Sequence, residues 1–208
     1  MLVELTLKGF MEELASRSPA PGGGSASAAV GAMGAALVAM AAKVTLGKEK
    51  FKDREGLLQG IVVQAETARN AMLLLVDEDT QAFNGVAEVF RMPKGTQEEQ
   101  QARAKAMEDA LKRATTVPLR LMEEAVGALE LCNKAAASVA KSVMSDIGVG
   151  ALCLETALQG AWMNVRINLT SMKDKSFAEK AAAKADDLLS TGTRLAEDTL
   201  EKVRRGLG

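Results

Sequence analysis

The sequence predicts an all-α protein, and three features support this fold class. The chain is rich in Ala, Leu, Met, Glu and Lys, with only 3% aromatic residues and no tyrosine. Apolar residues recur at steps of three and four along most of the chain, and the alternation typical of strands is absent. Residues that cap or break helices separate these periodic segments. We therefore expect one domain, residues 1–208, built as a compact bundle of about seven helices.

The first three helices are predicted in the N-terminal half. A short first helix opens near Thr6, and a second follows from residue 25 to about residue 46. The polar segment LGKEKFKD forms a turn, after which a long third helix spans about residues 53–90. Pro93 and Gly95 then end this helix, since neither residue favours its continuation.

Four further helices are predicted after this break. Thr96 and Glu99 form a capping box, which indicates a helix start. Pro118 should kink or break the chain, because proline has no amide hydrogen to donate. Ser145 or Asp146 could cap the following helix. The expected ranges are 96–118, 118–140, 147–169 and 177–205.

The second helix consists almost entirely of small residues, as in SPAPGGGSASAAVGAMGAALVAMAAKVTLGK. Gly31 and Gly34 would destabilise a helix unless close packing required them. We therefore expect this Ala/Gly-rich helix to lie at the centre of the bundle. The segment is also nearly long enough to cross a membrane, but Ala, Gly and Ser supply little transfer energy, so we expect no membrane insertion.

A turn of three glycines, Gly22, Gly23 and Gly24, precedes the Ala/Gly-rich helix. Backbone N–H groups at a helix N-terminus are free donors in a region of partial positive charge, which suits a carboxylate or phosphate. The geometry of the connection alone could equally explain these glycines.

Asp79 interrupts an apolar stripe on the third helix. The stripe comprises Leu57, Ile61, Ala68, Met72, Leu75, Phe83, Val86 and Phe90. A carboxylate on such a stripe must be paired, hydrogen-bonded or protonated, and desolvation would raise its pKa. Asp79 is therefore a candidate for proton transfer, although a structural acid paired with a neighbouring helix would fit the same position.

The sixth predicted helix carries polar groups on either side of a small-residue groove. The residues that define it are Asp146, Gly150, Cys153, Ala157, Gly160, Asn164 and Asn168. Either another helix packs into this groove, or a flat polar ligand lies along it. Asp146 could alternatively serve only as a helix cap.

The composition excludes several classes of function. The chain has no histidine, so histidine-based catalysis and histidine metal sites are excluded, and chemistry must rest on Asp, Glu, Lys, Ser or Asn. The 26 basic and 27 acidic residues nearly cancel, and nothing suggests nucleic-acid binding. Cys132 and Cys153 are too few for a disulfide framework. The N-terminus lacks a signal-peptide pattern, and we expect a cytoplasmic protein.

Seven segments in order resemble the cyclodeaminase/cyclohydrolase family, which comprises the C-terminal domain of formiminotransferase-cyclodeaminase and the bacterial methenyltetrahydrofolate cyclohydrolases. The segments are PAPGGGSASAAVGAMGAAL, VTLGKEKF, LVDEDTQAF, MPKGTQEEQQAR, VPL, SDIGVGA and MNVRINL. The resemblance implies an all-helical homodimer whose substrate is a tetrahydrofolate derivative bridged between N5 and N10. It implies neither a separate cofactor nor a metal.

The resemblance also implies a set of site residues. The residues implied to line the folate site are Gly22, Gly23, Gly24, Ser25, Asp79, Asp146, Asn164 and Asn168. Of the two catalytic acids, we expect Asp79 to be the principal proton-transfer residue, because it is the only acid on its apolar stripe, and Asp146 to orient it or to stabilise the cation. We expect Lys48, with Lys43 and Lys50, to attract the glutamyl tail, although these lysines could equally belong to a solvated turn.

One segment departs from the family. The family pattern GNxNxxSD is replaced by VAKSVMSD, which places Ala140 and Ser142 where amides are expected. Substrate choice between cyclohydrolase and cyclodeaminase therefore stays open at this point. The sequence carries no formiminotransferase domain, which favours the cyclohydrolase, although a separate formiminotransferase could supply the other substrate. The alternative from another class is a non-catalytic helical dimer.

Overall fold

The structure, a computed structural model, describes residues 1–208 and contains six α-helices with no strand. The helices are α1 (Leu7–Leu14), α2 (Gly23–Thr45), α3 (Glu55–Phe90), α4 (Gln97–Ala136), α5 (Met144–Leu169) and α6 (Lys175–Leu207). Short 3-10 helices occupy Leu2–Glu4, Glu49–Arg54 and Lys141–Val143. The all-α class predicted from composition and periodicity is therefore confirmed.

Helix α2 lies at the centre of the bundle, packed mainly against α3 and α5 and also against α4. A Cβ atom added at Gly31 would lie 2.8 Å from Met72 Sδ, and one added at Gly34 would lie 2.8 Å from the carbonyl oxygen of Gly150. Neither position can hold a larger side chain without moving its neighbour. Although α2 is long and apolar enough to span a membrane by length and composition alone, here it packs between α3 and α5.

Pro118 does not break the chain, so the expected fourth and fifth helices are one continuous helix, α4. Proline cannot donate to the carbonyl oxygen of Ala114, four residues earlier. Asn168 of α5 replaces the missing donor, because its Nδ2 lies 2.7 Å from that oxygen. The expected count of about seven helices was too high for this reason.

The structure confirms one predicted helix cap and corrects another. Thr96 and Glu99 form the expected capping box at the start of α4. At the start of α5, a 3-10 turn leads directly into the helix and Val143 occupies the N-cap position. Neither Ser145 nor Asp146 is therefore the cap, and that prediction was wrong.

The buried face of α3 differs in part from the predicted stripe. Its buried residues are Leu58, Ile61, Ala65, Ala68, Met72, Leu75, Val76 and Val89. Leu57, Phe83 and Phe90 are instead exposed by 47%, 42% and 65%. Leu57 lies beside the buried face rather than on it, whereas Phe83 and Phe90 border open clefts that only the packed helices create.

Both cysteines are free thiols. Cys132 is fully buried, its Sγ lies 3.5 Å from the carbonyl oxygen of Ile147, and burial raises the pKa of its thiol to about 12. Cys153 is partly buried, and burial raises its pKa as well. Thiols held in the neutral form are poor nucleophiles, so neither cysteine is a candidate nucleophile.

Candidate active site

A cleft of about 250 Å³ opens at the N-terminal end of α2, between that helix, α3 and the end of α5. It is lined by Pro19, Ala20, Gly22, Gly23, Gly24, Asp79, Ala82, Phe83, Val86, Ala114, Asn164 and Asn168. Six of the residues implied by the family resemblance thus meet in one place: the three glycines, Asp79 and the two asparagines.

Asp79 is held by the first turn of α2. The hydroxyl of Ser25, which is fully buried, donates to Asp79 Oδ2 at 2.8 Å. The same hydroxyl oxygen lies 3.1 Å from Thr80 Oγ1. Ser25 therefore does not line the cleft but fixes the carboxylate that does.

Burial raises the pKa of Asp79 above its ordinary value of 3.8, and the hydroxyl and backbone N–H of Ser25 oppose that rise. None of the ion pairs in the chain includes Asp79. Asp79 is therefore paired with the neighbouring helix α2 through the hydrogen bond from Ser25 and not through a cation, an arrangement that fits a structural acid as well as a proton-transfer group. A desolvated carboxyl without a cation can both accept and return a proton.

Only one of the three glycines is required by the position of Asp79. A Cβ atom at Gly24 would lie 2.5 Å from Asp79 Cγ and 2.7 Å from its Oδ2. At Gly23 the nearest atom would be Asn164 Nδ2 at 3.6 Å, and at Gly22 nothing lies within 4 Å. Gly24 therefore allows α2 and α3 to approach closely at the carboxylate.

The glycine turn also supplies free donors. Gly22 is the N-cap of α2 and has no side chain to cap the helix. The backbone N–H groups of Gly23 and Gly24 find no acceptor in the protein. Two backbone donors in the region of positive helix potential are thus available to a ligand in the cleft.

Asn164 and Asn168 face the cleft from α5 with their amide nitrogens already engaged. Asn164 Nδ2 donates to the carbonyl oxygen of Gly160 at 2.8 Å, and Asn168 Nδ2 donates to that of Ala114 at 2.7 Å. No donor of the protein reaches either Oδ1 atom. The cleft thus combines the Asp79 carboxyl with amide oxygens that can accept from N–H groups of a heterocycle.

The rest of the predicted groove on α5 is filled by α2. A Cβ atom at Gly150 would lie 3.3 Å from the carbonyl oxygen of Gly34, and one at Gly160 would overlap Ser27 Oγ. Of the two interpretations left open by the sequence, helix packing is correct for this stretch. A ligand can reach only the end of α5 that carries the asparagines.

Asp146 and Lys48 lie far from Asp79 within one chain. Asp146 is in the first turn of α5, and the 18 residues to Asn164 correspond to about 27 Å of helix. Lys48 follows the C-terminal end of α2, at the opposite end from the glycine turn, and lines a different cavity. The continuity of α2 and α5 therefore keeps both residues out of this cleft.

One wall of the cleft is apolar, which no pattern in the sequence predicts. Ala82, Phe83 and Val86 form this wall on α3. Helical spacing from Leu75 predicts Phe83 and Val86 on the core stripe, whereas both side chains face the cleft. An aromatic ring that is 42% exposed beside a polar cleft offers a flat apolar surface to a planar ligand.

Comparison with known proteins identifies relatives of this chain. The family model for formiminotransferase-cyclodeaminase matches residues 6–187. The methenyltetrahydrofolate cyclohydrolase of Methylorubrum extorquens is 36% identical over 199 residues, which cover 96% of each chain. The formimidoyltransferase-cyclodeaminase of Mus musculus is 38% identical over 188 residues, which cover 90% of this chain but only 35% of the mouse protein.

A solved structure has the same fold. The crystal structure of formiminotetrahydrofolate cyclodeaminase from Thermotoga maritima matches with a TM-score of 0.89 and 27% identity. The match covers 99% of this chain and 98% of the Thermotoga chain. On the extent of these matches, the chain belongs to the formiminotransferase-cyclodeaminase family.

Proposed function

We propose that this chain is an enzyme of folate one-carbon metabolism and that it hydrolyses 5,10-methenyltetrahydrofolate to 10-formyltetrahydrofolate. The observation that carries the proposal is the desolvated Asp79 carboxyl in a cleft with free backbone donors and amide acceptors. Of the two relatives matched over nearly their whole length, the Methylorubrum cyclohydrolase is 36% identical and the Thermotoga cyclodeaminase 27%, which favours hydrolysis.

In the proposed hydrolysis, Asp79 acts as the base. The methenyl carbon bridges N5 and N10 as a cationic amidinium, so it is already electrophilic and needs neither a metal nor a separate cofactor. Asp79 accepts a proton as a water oxygen bonds to this carbon. The bond to N5 then breaks as the new hydroxyl loses its proton and becomes the formyl oxygen on N10. N5 takes up one proton, and one proton is released overall.

The same carboxyl suits the deaminase reaction, which is the second candidate. N10 would attack the formimino carbon of 5-formiminotetrahydrofolate, and protonated Asp79 would give its proton to the departing ammonia. The whole-chain match to the Thermotoga cyclodeaminase supports this alternative. A separate formiminotransferase would then have to supply the substrate.

An absorbance assay of both substrates tests the proposal, because the methenyl compound absorbs where the open forms do not. We expect the purified protein to accelerate the loss of methenyltetrahydrofolate above its uncatalysed rate. Formation of the methenyl compound from 5-formiminotetrahydrofolate would assign the deaminase instead. A folded protein that binds tetrahydrofolate but turns over neither substrate would establish the non-catalytic alternative.

Replacing Ser25 by alanine should shift the pH dependence of hydrolysis to higher pH. The Ser25 hydroxyl lowers the pKa of Asp79, so its removal raises that pKa further. The active base is the carboxylate, so the rate of the variant should begin to fall at a higher pH on acidification. Plots of kcat/KM against pH for both proteins measure the shift, and superimposable acid limbs would exclude Asp79 as the base.

We also propose a homodimer formed through α2 and α5, which pack side by side and each present an apolar stripe to solvent. On α5 the stripe consists of Val149, Leu152, Met163 and Ile167, exposed by 50–64%. On α2, Met33 and Val44 are exposed by 45% and 43%. Apolar surface of this extent favours burial against a second copy. Light scattering should give twice the mass of 21.9 kDa at micromolar concentration.

The arrangement of the α5 stripe offers a role for Asp146. Val149 and Leu152 lie near the start of α5, and Met163 and Ile167 lie near its end. A two-fold axis across the middle of the helix would pair the start of one copy with the end of the other. The partner subunit's Asp146 would then approach the asparagine end of the cleft, where it could stabilise the cationic bridge.

Mixed dimers test this arrangement. Asp79→Asn and Asp146→Asn variants should each be impaired alone, whereas co-refolding them should restore about a quarter of native activity, because half of the dimers carry one intact site. Failure to recover activity in verified mixed dimers would place Asp146 outside the partner's site.

A further inference from the structure

A second cavity, of about 260 Å³, lies in line with the cleft described above, where α3 ends and α4 begins. It is lined by Phe90, Lys94, Gln100, Arg103, Ala104, Met107, Glu108, Ser171 and Lys173. These residues include part of the segment MPKGTQEEQQAR, to which the proposed chemistry gives no role.

Helical spacing aligns the two cavities. On α3, Phe83 of the first cavity and Phe90 of the second are seven residues apart, so they lie on the same face. Ser171 follows Asn164 at the same spacing, just beyond the end of α5. The 11 residues from Asp79 to Phe90 correspond to about 16 Å along α3.

The second cavity is cationic. Lys94, Arg103 and Lys173 line it, against the single acid Glu108. The carboxylate of Glu108 is engaged by two backbone N–H groups, those of Lys173 at 3.0 Å and Asp174 at 2.8 Å. Neither Lys94 nor Lys173 has a carboxylate within ion-pair distance.

Local contacts position these cations. Gln100 Nε2 donates to the carbonyl oxygen of Lys94 at 3.1 Å, which ties the lysine backbone to α4. Arg103 donates through Nε to the carbonyl oxygen of Val89 at 3.1 Å, and its guanidinium lies 6.0 Å from the ring centroid of Phe90. Glu99, five residues after Lys94, accepts from the backbone N–H groups of Gly95 and Thr96.

We infer that this second cavity binds the carboxylates of the glutamate tail of the folate, with Lys94 and Lys173 as their ion-pair partners. The inference rests on the proposed function, because it requires the N5–N10 bridge to lie at Asp79. The aminobenzoyl ring would then lie along Phe83 and Val86, and the tail would extend towards Phe90. This location replaces the expected one at Lys48, which lies at the other end of α2 in the same chain.

Calorimetric titration with two probes tests the inference without using turnover. Tetrahydrofolate carries the glutamate carboxylates, and tetrahydropteroate lacks them. The native protein should bind tetrahydrofolate on the order of tenfold more tightly, since charge-assisted contacts in a partly exposed cavity are of this size. The preference should decrease as the salt concentration rises.

A double variant and a matched control identify the residues. The double variant, Lys94→Met with Lys173→Met, keeps the apolar stems and removes both charges, so it should lose the preference for tetrahydrofolate and leave tetrahydropteroate binding unchanged. Lys134→Met removes one charge from an exposed part of α4 outside both cavities and should change neither affinity.

The outcomes separate this inference from the proposed function. If the native protein binds both probes equally, or if the double variant keeps the native preference, the tail subsite is wrong while folate binding stands. If the native protein binds neither probe, the proposed function fails and the subsite fails with it.

Discussion

Replacing Asp79 by asparagine should lower turnover of methenyltetrahydrofolate by on the order of a hundredfold or more, the usual scale for a lost general acid or base. Asparagine has nearly the same shape, can accept from Ser25, and cannot exchange the proton. Folate binding and the oligomeric state should therefore be retained. Steady-state kinetics, with calorimetry for binding, measure both quantities.

The neighbouring acid Asp77 provides the matched control. It lies two residues earlier on α3, outside the cleft, and accepts from the backbone N–H of Leu2 at 2.6 Å. Asp77→Asn removes the same charge from the same helix and should leave turnover close to native. Equal losses in both variants would indicate a general effect of charge or stability rather than proton transfer by Asp79.

The Asp79→Asn variant should also be at least as stable as the native protein at neutral pH. Because the pKa of Asp79 is raised above 3.8 in the folded state, the folded protein binds more protons than the unfolded chain between these two pKa values. The contribution of Asp79 to the free energy of unfolding is thus largest below pH 3.8, and it is lost as the pH rises through the pKa that Asp79 has in the folded protein. Asparagine does not ionise, so the Asp79→Asn variant does not lose this contribution as the pH rises.

Thermal unfolding at two pH values tests whether the Asp79→Asn substitution stabilises or destabilises the protein. At neutral pH the Tm of Asp79→Asn should equal or exceed that of the native protein, and the advantage should vanish as pH falls towards 3.8. A clear drop in Tm at neutral pH would instead make Asp79 a structural group.

Gly24→Ala should lower turnover nearly as much as Asp79→Asn, because the added methyl group clashes with Asp79 and not because a reacting group is lost. The new Cβ atom would lie 2.5 Å from Asp79 Cγ, so α2 and α3 must separate or the carboxyl must rotate away from Ser25. We expect turnover to fall on the order of a hundredfold and the protein to lose about 1–3 kcal/mol of stability. Kinetics and denaturant unfolding measure the two effects.

Two other glycines serve as controls for Gly24→Ala. Gly127→Ala lies in α4 with nothing within 4 Å of the added Cβ atom, so it should keep activity and gain about 0.5–1 kcal/mol from helix propensity. Gly23→Ala meets only Asn164 Nδ2 at 3.6 Å and should lose far less activity than Gly24→Ala. Equal effects at Gly23 and Gly24 would mean that turn flexibility, not close approach to Asp79, requires the glycines.

Local sequence signals predicted much of the fold. Helical periodicity, the Thr96–Glu99 capping box and the small residues of α2 act over a few residues, so they can be interpreted without knowing what lies across the bundle. Pro118 could not be interpreted in this way, because its effect depends on Asn168, 50 residues later, which satisfies the carbonyl of Ala114. A partner distant in sequence thus decided whether one helix or two would form.

In the candidate site, too, some features follow from local sequence and others depend on contacts between helices. Asp79 stood out because an acid on an apolar face must have a reason to be there, and its desolvation agrees with that interpretation. The need for glycine at Gly24 rather than at Gly22 follows from the distance between α2 and α3, which no local pattern encodes. The separation of Asp146 from Asp79 likewise depends on how long and continuous α5 is.

The pH dependence of methenyltetrahydrofolate hydrolysis, measured in parallel on the native protein and Asp79→Asn and corrected for the uncatalysed rate, tests the central claim most directly. The account predicts that native kcat/KM falls on acidification through a pKa above 3.8, whereas the variant shows a low rate without that limb. A variant that keeps both the acid limb and a near-native rate would contradict the assignment of Asp79 as the proton-transfer group.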